Sequence, residues 1–201
     1  MPRIAGRTAT PHQLLAAGRE LFSRHGYNAT GIQQITDRAG VPKGSFYNHF
    51  ESKEAFAAAI IDGYTAEMLE LWSRMMERAP AQPVAAIRYA FEQMIAHKER
   101  TASWSGCLVG NLAAEVADSN ELCRQRLAAA MTGWREMLAS LIRKAQDSGE
   151  VRTDADASRL AALIWDAWEG ALLRTKLDRS GTPLRESFDL MLNGLLRPPP
   201  A

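Results

Sequence analysis

Residues 17–56 read AGRELFSRHGYNATGIQQITDRAGVPKGSFYNHFESKEAF, and this stretch decides the fold. Its centre holds two short helical segments, Thr30–Arg38 and Pro42–His49, separated by Ala39-Gly40-Val41. Two short helices joined by a tight, glycine-containing turn describe a helix-turn-helix. Ala39 is small enough to let the helices approach, Gly40 supplies the turn, and Val41 packs beneath both. Thr30 is placed to cap the first of the pair, with Ile32 and Ile35 facing inward, and Pro42 opens the second. Upstream, Thr10-Pro11 reads as a cap followed by proline at the first helical position. Leu14, Leu15, Ala17, Gly18, Leu21 and Phe22 follow at helical spacing, and Gly26 stops the helix. Downstream, Ser52 caps a long fourth helix. There Phe56, Ile60, Tyr64, Met68, Leu71 and Met75 form one apolar stripe that runs to Pro80.

The second helix of the pair has the composition of a groove reader. Phe46 and Phe50, four apart, anchor it, while Lys43, Gly44, Ser45, Tyr47, Asn48 and His49 are polar or small. Lys43 offers a point charge to a phosphate or a guanine edge. Ser45, Tyr47 and His49 offer hydrogen bonds to phosphates, and Gly44 permits close approach of backbone to DNA. The charge distribution agrees. The chain of 201 residues carries a net charge of only +1. Residues 1–53, however, hold seven Lys/Arg (Arg3 and Arg7 among them) against three acids, and residues 54–201 hold 17 against 20. A basic head on an acidic body points to a polyanionic partner.

The remainder reads as all-α. Helices are expected at about 83–100, 104–118, 120–148, 154–178 and 183–196, with caps at Asp154 and Thr182-Pro183, and Pro198-Pro199-Pro200 cannot continue a helix. This gives a three-helix head, residues 1–53, and a six-helix body, residues 54–201. The most apolar region, Leu160 to Leu173, is interrupted by Asp166 and Glu169, so no membrane span is expected. Arg3 and Arg7 are followed by no apolar run, so no secretory signal is read and the cytoplasm is expected. Two cysteines, Cys107 and Cys123, are too few for a disulfide framework and lack metal-ligand spacing. Phosphate-loop, nucleophile-elbow and metalloprotease patterns are absent and the four histidines are scattered, so no catalytic site, metal or cofactor is expected. A helical adaptor that binds no DNA is the competing class, and it leaves the basic head unexplained.

The stretch Ala17–Phe56 resembles the N-terminal domain of TetR-type regulators almost position by position. Leu21-Phe22 and Gly26-Tyr27 match the end of that family's first helix, and Thr30 and Ile35 match the second. Ala39-Gly40-Val41 matches the turn. Gly44-Ser45-Phe46-Tyr47-Asn48-His49-Phe50 and Ser52-Lys53-Glu54 match the third helix and the start of the fourth. Gly31 departs from it, because family members often carry a larger residue there. The resemblance implies that Thr30, Tyr47, His49 and Lys53 contact phosphates and that Gln33, Lys43, Gly44 and Ser45 lie nearest base edges. It also implies a ligand-responsive regulator, most simply a repressor, with an effector pocket among helices four to eight. Candidate linings are Tyr64, Met68, Trp72, Phe91, Trp104, Cys107, Asn111, Trp134 and Trp165.

Two heads related by a two-fold axis read a palindromic double-stranded operator. The expected homodimer surface lies on the last two helices, where Leu160, Ile164, Trp168 and Leu172 stripe one and Leu184, Phe188, Met191, Leu192 and Leu195 the other. The alternative is that these stripes face the core of one chain. Residues 106–115, GCLVGNLAAE, resemble a branch of the family that includes regulators of electrophile and reactive-aldehyde detoxification. That likeness suggests Cys107 as a sensing thiol near a helix start, with Lys176 as a cationic partner. Cys107 also reads as an inert buried residue, and a small carboxylate or unsaturated acid bound without reaction is the competing effector.

Overall fold

The computed structural model describes residues 5–198, with side chains from residue 10 onward. Arg3, the Arg7 side chain, Pro199 and Pro200 lie outside the described residues. Within them the chain is all-α, without strands: α1 (Ala5–His25), α2 (Ile32–Ala39), α3 (Lys43–Tyr47), α4 (Lys53–Met76), α5 (Pro83–Thr101), α6 (Leu108–Val116), α7 (Glu121–Asp147), α8 (Ala157–Asp178) and α9 (Thr182–Leu190), then a π-helical turn, Met191–Leu195. No helix among them is long and apolar enough to cross a membrane, and no group of three or more His, Cys, Asp or Glu could hold a metal ion.

Two compact units emerge, and the one containing the head reaches beyond residue 53. It comprises Met1–Ala66 with Leu108–Ala130, so α6 and the start of α7 belong to it. The other comprises Glu67–Cys107 with Met131–Ala201.

In the first unit α1 packs on α2, α3 and α6. Its core is aromatic. The Phe56 ring meets Phe22, Phe46 and Phe50 at centroid distances of 6.1, 5.1 and 4.8 Å. Gly18 allows this approach, since a methyl group there would overlap the Phe56 ring. Thr10 does not cap α1; it lies inside the helix, where Pro11 removes one intrahelical hydrogen bond without ending it. Ser52 does cap α4, accepting the Ala55 N–H at 3.1 Å.

In the second unit α9 packs on α8 and on α5. Phe91 of α5 stacks on Phe188 of α9 at 4.4 Å and meets the edge of Trp168 of α8 at 4.8 Å. Asp156, not Asp154, caps α8 by accepting the Ser158 and Arg159 N–H groups at 2.8 and 3.3 Å. Asp154 instead pairs with Arg152 at 2.6 Å. The expected helix at 104–118 starts later, at Leu108, because the chain turns through Gly106 at φ 80°.

Candidate nucleic-acid interface and thiol site

The turn between α2 and α3 has the chemistry its sequence demands. Gly40 takes φ 69° and closes α2, its N–H reaching the Asp37 carbonyl at 3.1 Å while the Val41 N–H reaches the Thr36 carbonyl at 3.0 Å. This paired arrangement satisfies carbonyls that a helix end leaves open and needs a residue free of the left-handed penalty. Pro42 stands at the N-cap of α3, with the Ser45 N–H bonded to its carbonyl at 2.8 Å. Phe46 is fully buried and fixes which face of α3 points outward. Lys43, Gly44, Tyr47, Asn48 and His49 are exposed, and Ser45 is half-buried. At Gly44 an added Cβ would meet nothing within 4 Å. Packing inside the chain therefore gives no reason for a residue that weakens a helix by about 1 kcal/mol relative to alanine. An approach from outside does.

Two residues expected at this surface make contacts inside the chain. Thr30 is only 1% exposed, and its hydroxyl donates to the Gly26 carbonyl at 2.7 Å. It fastens the α1–α2 turn and does not cap α2; Gly31 holds that position, with its N–H bonded to the Gln34 side chain at 2.7 Å. Lys53 is half-buried, its ammonium donating to the Tyr27 carbonyl at 2.7 Å and lying 4.0 Å from the centre of the Tyr27 ring. Burial pulls the Lys53 ammonium below its ordinary range, with Glu54 and Glu115 opposing. Gln33 is exposed on α2 and donates to Asp37 at 2.7 Å. The head's charge is partly engaged internally. Glu20 takes Arg38 at 2.6 Å and Arg24 at 3.6 Å, and the Arg19 guanidinium lies over the Tyr64 ring at 5.0 Å.

A contact invisible in the sequence braces the head. The Asn28 N–H donates to the Glu115 carboxylate at 2.8 Å, and Gly26, at φ 82°, lies so close to that carboxylate that a Cβ would overlap it.

The candidate effector residues fall in both units. Tyr64 and Asn111, both half-buried, belong to the first. Met68, Trp72, Phe91, Trp104, Cys107, Trp134, Trp165 and Lys176 belong to the second. There the structure brings Trp134 and Trp165 together at 5.4 Å and buries Phe91 against α8 and α9. Lys176 is exposed. A cation near Cys107 is Lys98 of α5, which the sequence reading missed. Its ammonium donates to the Gly106 carbonyl at 3.1 Å, and burial pulls it below its ordinary range while Cys107 and Glu169 oppose. The Glu169 carboxylate of α8, also missed, accepts a hydrogen bond from the Cys107 thiol. Burial pushes the Glu169 carboxyl above its ordinary range. Cys123 is a different case. Its thiol is fully buried, donates to the Glu54 carbonyl at 3.6 Å, and is pushed upward by burial and then by Glu54.

The residues of the expected dimer stripe lie inside the single chain. Leu160, Ile164, Trp168, Leu172, Leu184, Phe188, Met191 and Leu192 are all buried within one chain, and Leu195 is half-buried. They are the core that joins α5, α8 and α9. The opposite face of α8 exposes Leu163, Leu173 and Leu177, the last at 80%, and α9 exposes Leu190 at 75%.

The family match follows this architecture. Residues 14–60 match the model described as bacterial regulatory proteins, tetR family, and residues 83–191 match the tetracyclin repressor-like C-terminal domain. This chain belongs to the TetR family. It is a helix-turn-helix transcriptional regulator. Among its family relatives, the transcriptional repressor DhaR of Mycobacterium sp. strain GP1 is 33% identical, covering 94% of each chain. The transcriptional regulator AcuR of Cereibacter sphaeroides is 37% identical, covering 91% of this chain and 84% of AcuR. The crystal structure of E. coli NemR in its reduced form superposes with a TM-score of 0.84 at 26% identity, covering 96% of this chain and 98% of that one.

Proposed function

We propose that this family member is a cytoplasmic, homodimeric repressor that occupies a palindromic operator and leaves it when a small electrophile adds to Cys107. One observation carries the DNA-binding half. A helix anchored by the buried Phe46 presents Lys43, Ser45, Tyr47 and His49 around Gly44, whose missing side chain nothing inside the chain requires. Tyr47 and His49 hold phosphates, and Lys43, Gly44 and Ser45 lie against base edges, with Gln33 of α2 beside them. Thr30 and Lys53 act from beneath, by fixing the turn that sets α2. The two chains join through the exposed Leu163, Leu173, Leu177 and Leu190. Gly170, exposed on α8 with open space above it, lets the partner's helix approach closely. No enzymatic activity is assigned.

Cys107 is the effector residue because it combines a nucleophile with a buried cation and a buried carboxylate. A thiol reacts as the thiolate, which a nearby ammonium favours. The likeness of residues 106–115 to the electrophile-responsive branch supports this, as does the reduced form named for NemR. The ligand lowers operator affinity to the extent that it prefers a conformation in which the heads do not fit DNA. A small carboxylate held by Lys98 without reaction is the second reading, favoured by that buried ammonium alone.

A gel shift with DNA from upstream of the protein's own coding region tests the reading. A retarded band is expected, weakened by Tyr47→Ala and abolished by a neutral enone in the native protein but not in Cys107→Ser. No retardation at low salt would contradict DNA binding.

A further inference from the structure

The thiol site contains more than a nucleophile. Trp165 and Glu169 stand one turn apart on the same face of α8. The Trp165 indole Nε1 and the Glu169 Oε1 are both buried without a hydrogen-bond partner. An unsatisfied buried polar atom carries a free-energy cost of about 1–3 kcal/mol, so a donor and an acceptor left open four residues apart on one helix invite a polar guest. The other Glu169 oxygen already holds the Cys107 thiol, and Lys98 is fastened to the carbonyl just before Cys107. The site thus has a thiol, a base in contact with it and a cation, with an unused indole N–H one helical turn from the base.

Resting on Cys107 being the effector residue, we propose that this site catalyses its own modification. Glu169 takes the thiol proton, Cys107 adds to the β-carbon of a neutral α,β-unsaturated carbonyl compound, and Trp165 holds the carbonyl oxygen. The step balances within the two reactants. The S–H bond breaks and its proton moves to the Glu169 carboxylate. The sulfur electron pair forms an S–C bond to the β-carbon, the C=C π pair shifts to give an enolate, and its oxygen accepts the Trp165 N–H. The α-carbon then takes the proton from Glu169, which returns to a carboxylate. No oxidant or reductant enters. Lys98 faces the negative charge at each stage, first on Glu169, then on sulfur. Burial, which pushes the Glu169 carboxyl toward its neutral form, favours the transfer.

Charge balance selects a neutral guest. Lys98 and Glu169 already compensate each other, and the exposed Asp166 adds a weaker negative influence. A ligand carboxylate would be a second negative group against one buried ammonium, without the pairing that a buried charge needs.

The test uses the full-length protein with methyl vinyl ketone, its saturated counterpart 2-butanone, and but-2-enoate. Intact-protein mass spectrometry follows the rate of adduct formation at Cys107. Glu169→Gln should slow the enone adduct on the order of a hundredfold, and Trp165→Phe by about tenfold or more. Glu169→Asp, which restores a carboxylate, should recover part of the rate. Each variant is first required to melt cooperatively and to retard operator DNA, which a merely misfolded site would fail. But-2-enoate and 2-butanone should neither modify the protein nor release DNA. Modification of Glu169→Gln at the native rate would overturn the role of Glu169 while leaving Cys107 as the sensor. Release of DNA by but-2-enoate without an adduct would overturn the neutral-electrophile assignment. Absence of any Cys107 adduct in the native protein would overturn both.

Discussion

The Glu115 carboxylate accepts the backbone N–H of Asn28 at 2.8 Å, across 87 positions of sequence. Glu115 lies near the end of α6, and Asn28 lies in the turn that leads from α1 into the reading pair. The same carboxylate fills the space above Gly26. The α1–α2 turn is therefore held by α6 as well as by Thr30.

Glu115→Ala should loosen that turn without unfolding the protein. The lost hydrogen bond to a charged acceptor corresponds to about 1–3 kcal/mol locally. Amide hydrogen exchange at Asn28 should quicken, and operator affinity should fall while the dimer persists. Unchanged exchange at Asn28 would show that the contact does not hold the turn.

Two glycines of the first unit should respond in opposite directions. Gly26→Ala forces a side chain onto φ 82° and into Glu115, and should destabilise by more than about 1 kcal/mol. Gly63→Ala, in mid-helix with nothing within 4 Å of the added Cβ, should stabilise by up to about 1 kcal/mol. Thermal melting of the two variants side by side decides this.

Lys43 and Lys53 should separate by stability. Lys43→Ala removes an exposed cation and should reduce the dependence of operator binding on salt by roughly one unit of log–log slope, with unchanged melting. Lys53→Ala removes the donor to the Tyr27 carbonyl, so it should weaken every DNA sequence alike and also lower the melting temperature. Equal melting of the two variants would return Lys53 to a simple surface role.

The exposed leucines should govern assembly and the buried ones stability. Leu173→Glu combined with Leu177→Glu should give monomers by sedimentation velocity with melting little changed. Ile164→Ala, in the core, should cost about 2–5 kcal/mol in stability. Intact dimers in the double variant would contradict the assigned face.

The head was legible because turn chemistry is local. Gly40 and Pro42 announce the helix-turn-helix from within a few residues, and the alternation of Phe46 and Phe50 with polar neighbours fixes which side of α3 faces out. The all-α body was legible from spacing alone. What the sequence could not yield were pairings made by folding. Leu160, Ile164, Trp168 and Leu172 are apolar at helical spacing whether they face a partner chain or their own core. The structure assigns them to the core. The stripe left outside, Leu163, Leu173 and Leu177, is thinner and interrupted by Asp166, Gly170 and Arg174. Thr30 looked like a cap because threonine before a helix usually is one, yet its hydroxyl turns back to Gly26. Lys98 lies on α5 and Glu169 on α8, while Cys107 lies in the turn before α6, and neither Lys98 nor Glu169 carries a motif, so only the fold brings them together.

Coupling between the Cys107 adduct and operator release can be read on a single sample. Methyl vinyl ketone is added in steps to the protein bound to fluorescent operator DNA, and anisotropy is read alongside the fraction of Cys107 carrying one enone by mass spectrometry. Operator release should rise in step with the Cys107 adduct, and Cys107→Ser should stay bound throughout, with Cys123 unmodified. Complete Cys107 modification with the operator still bound, or release from Cys107→Ser at the same enone concentration, would contradict that coupling.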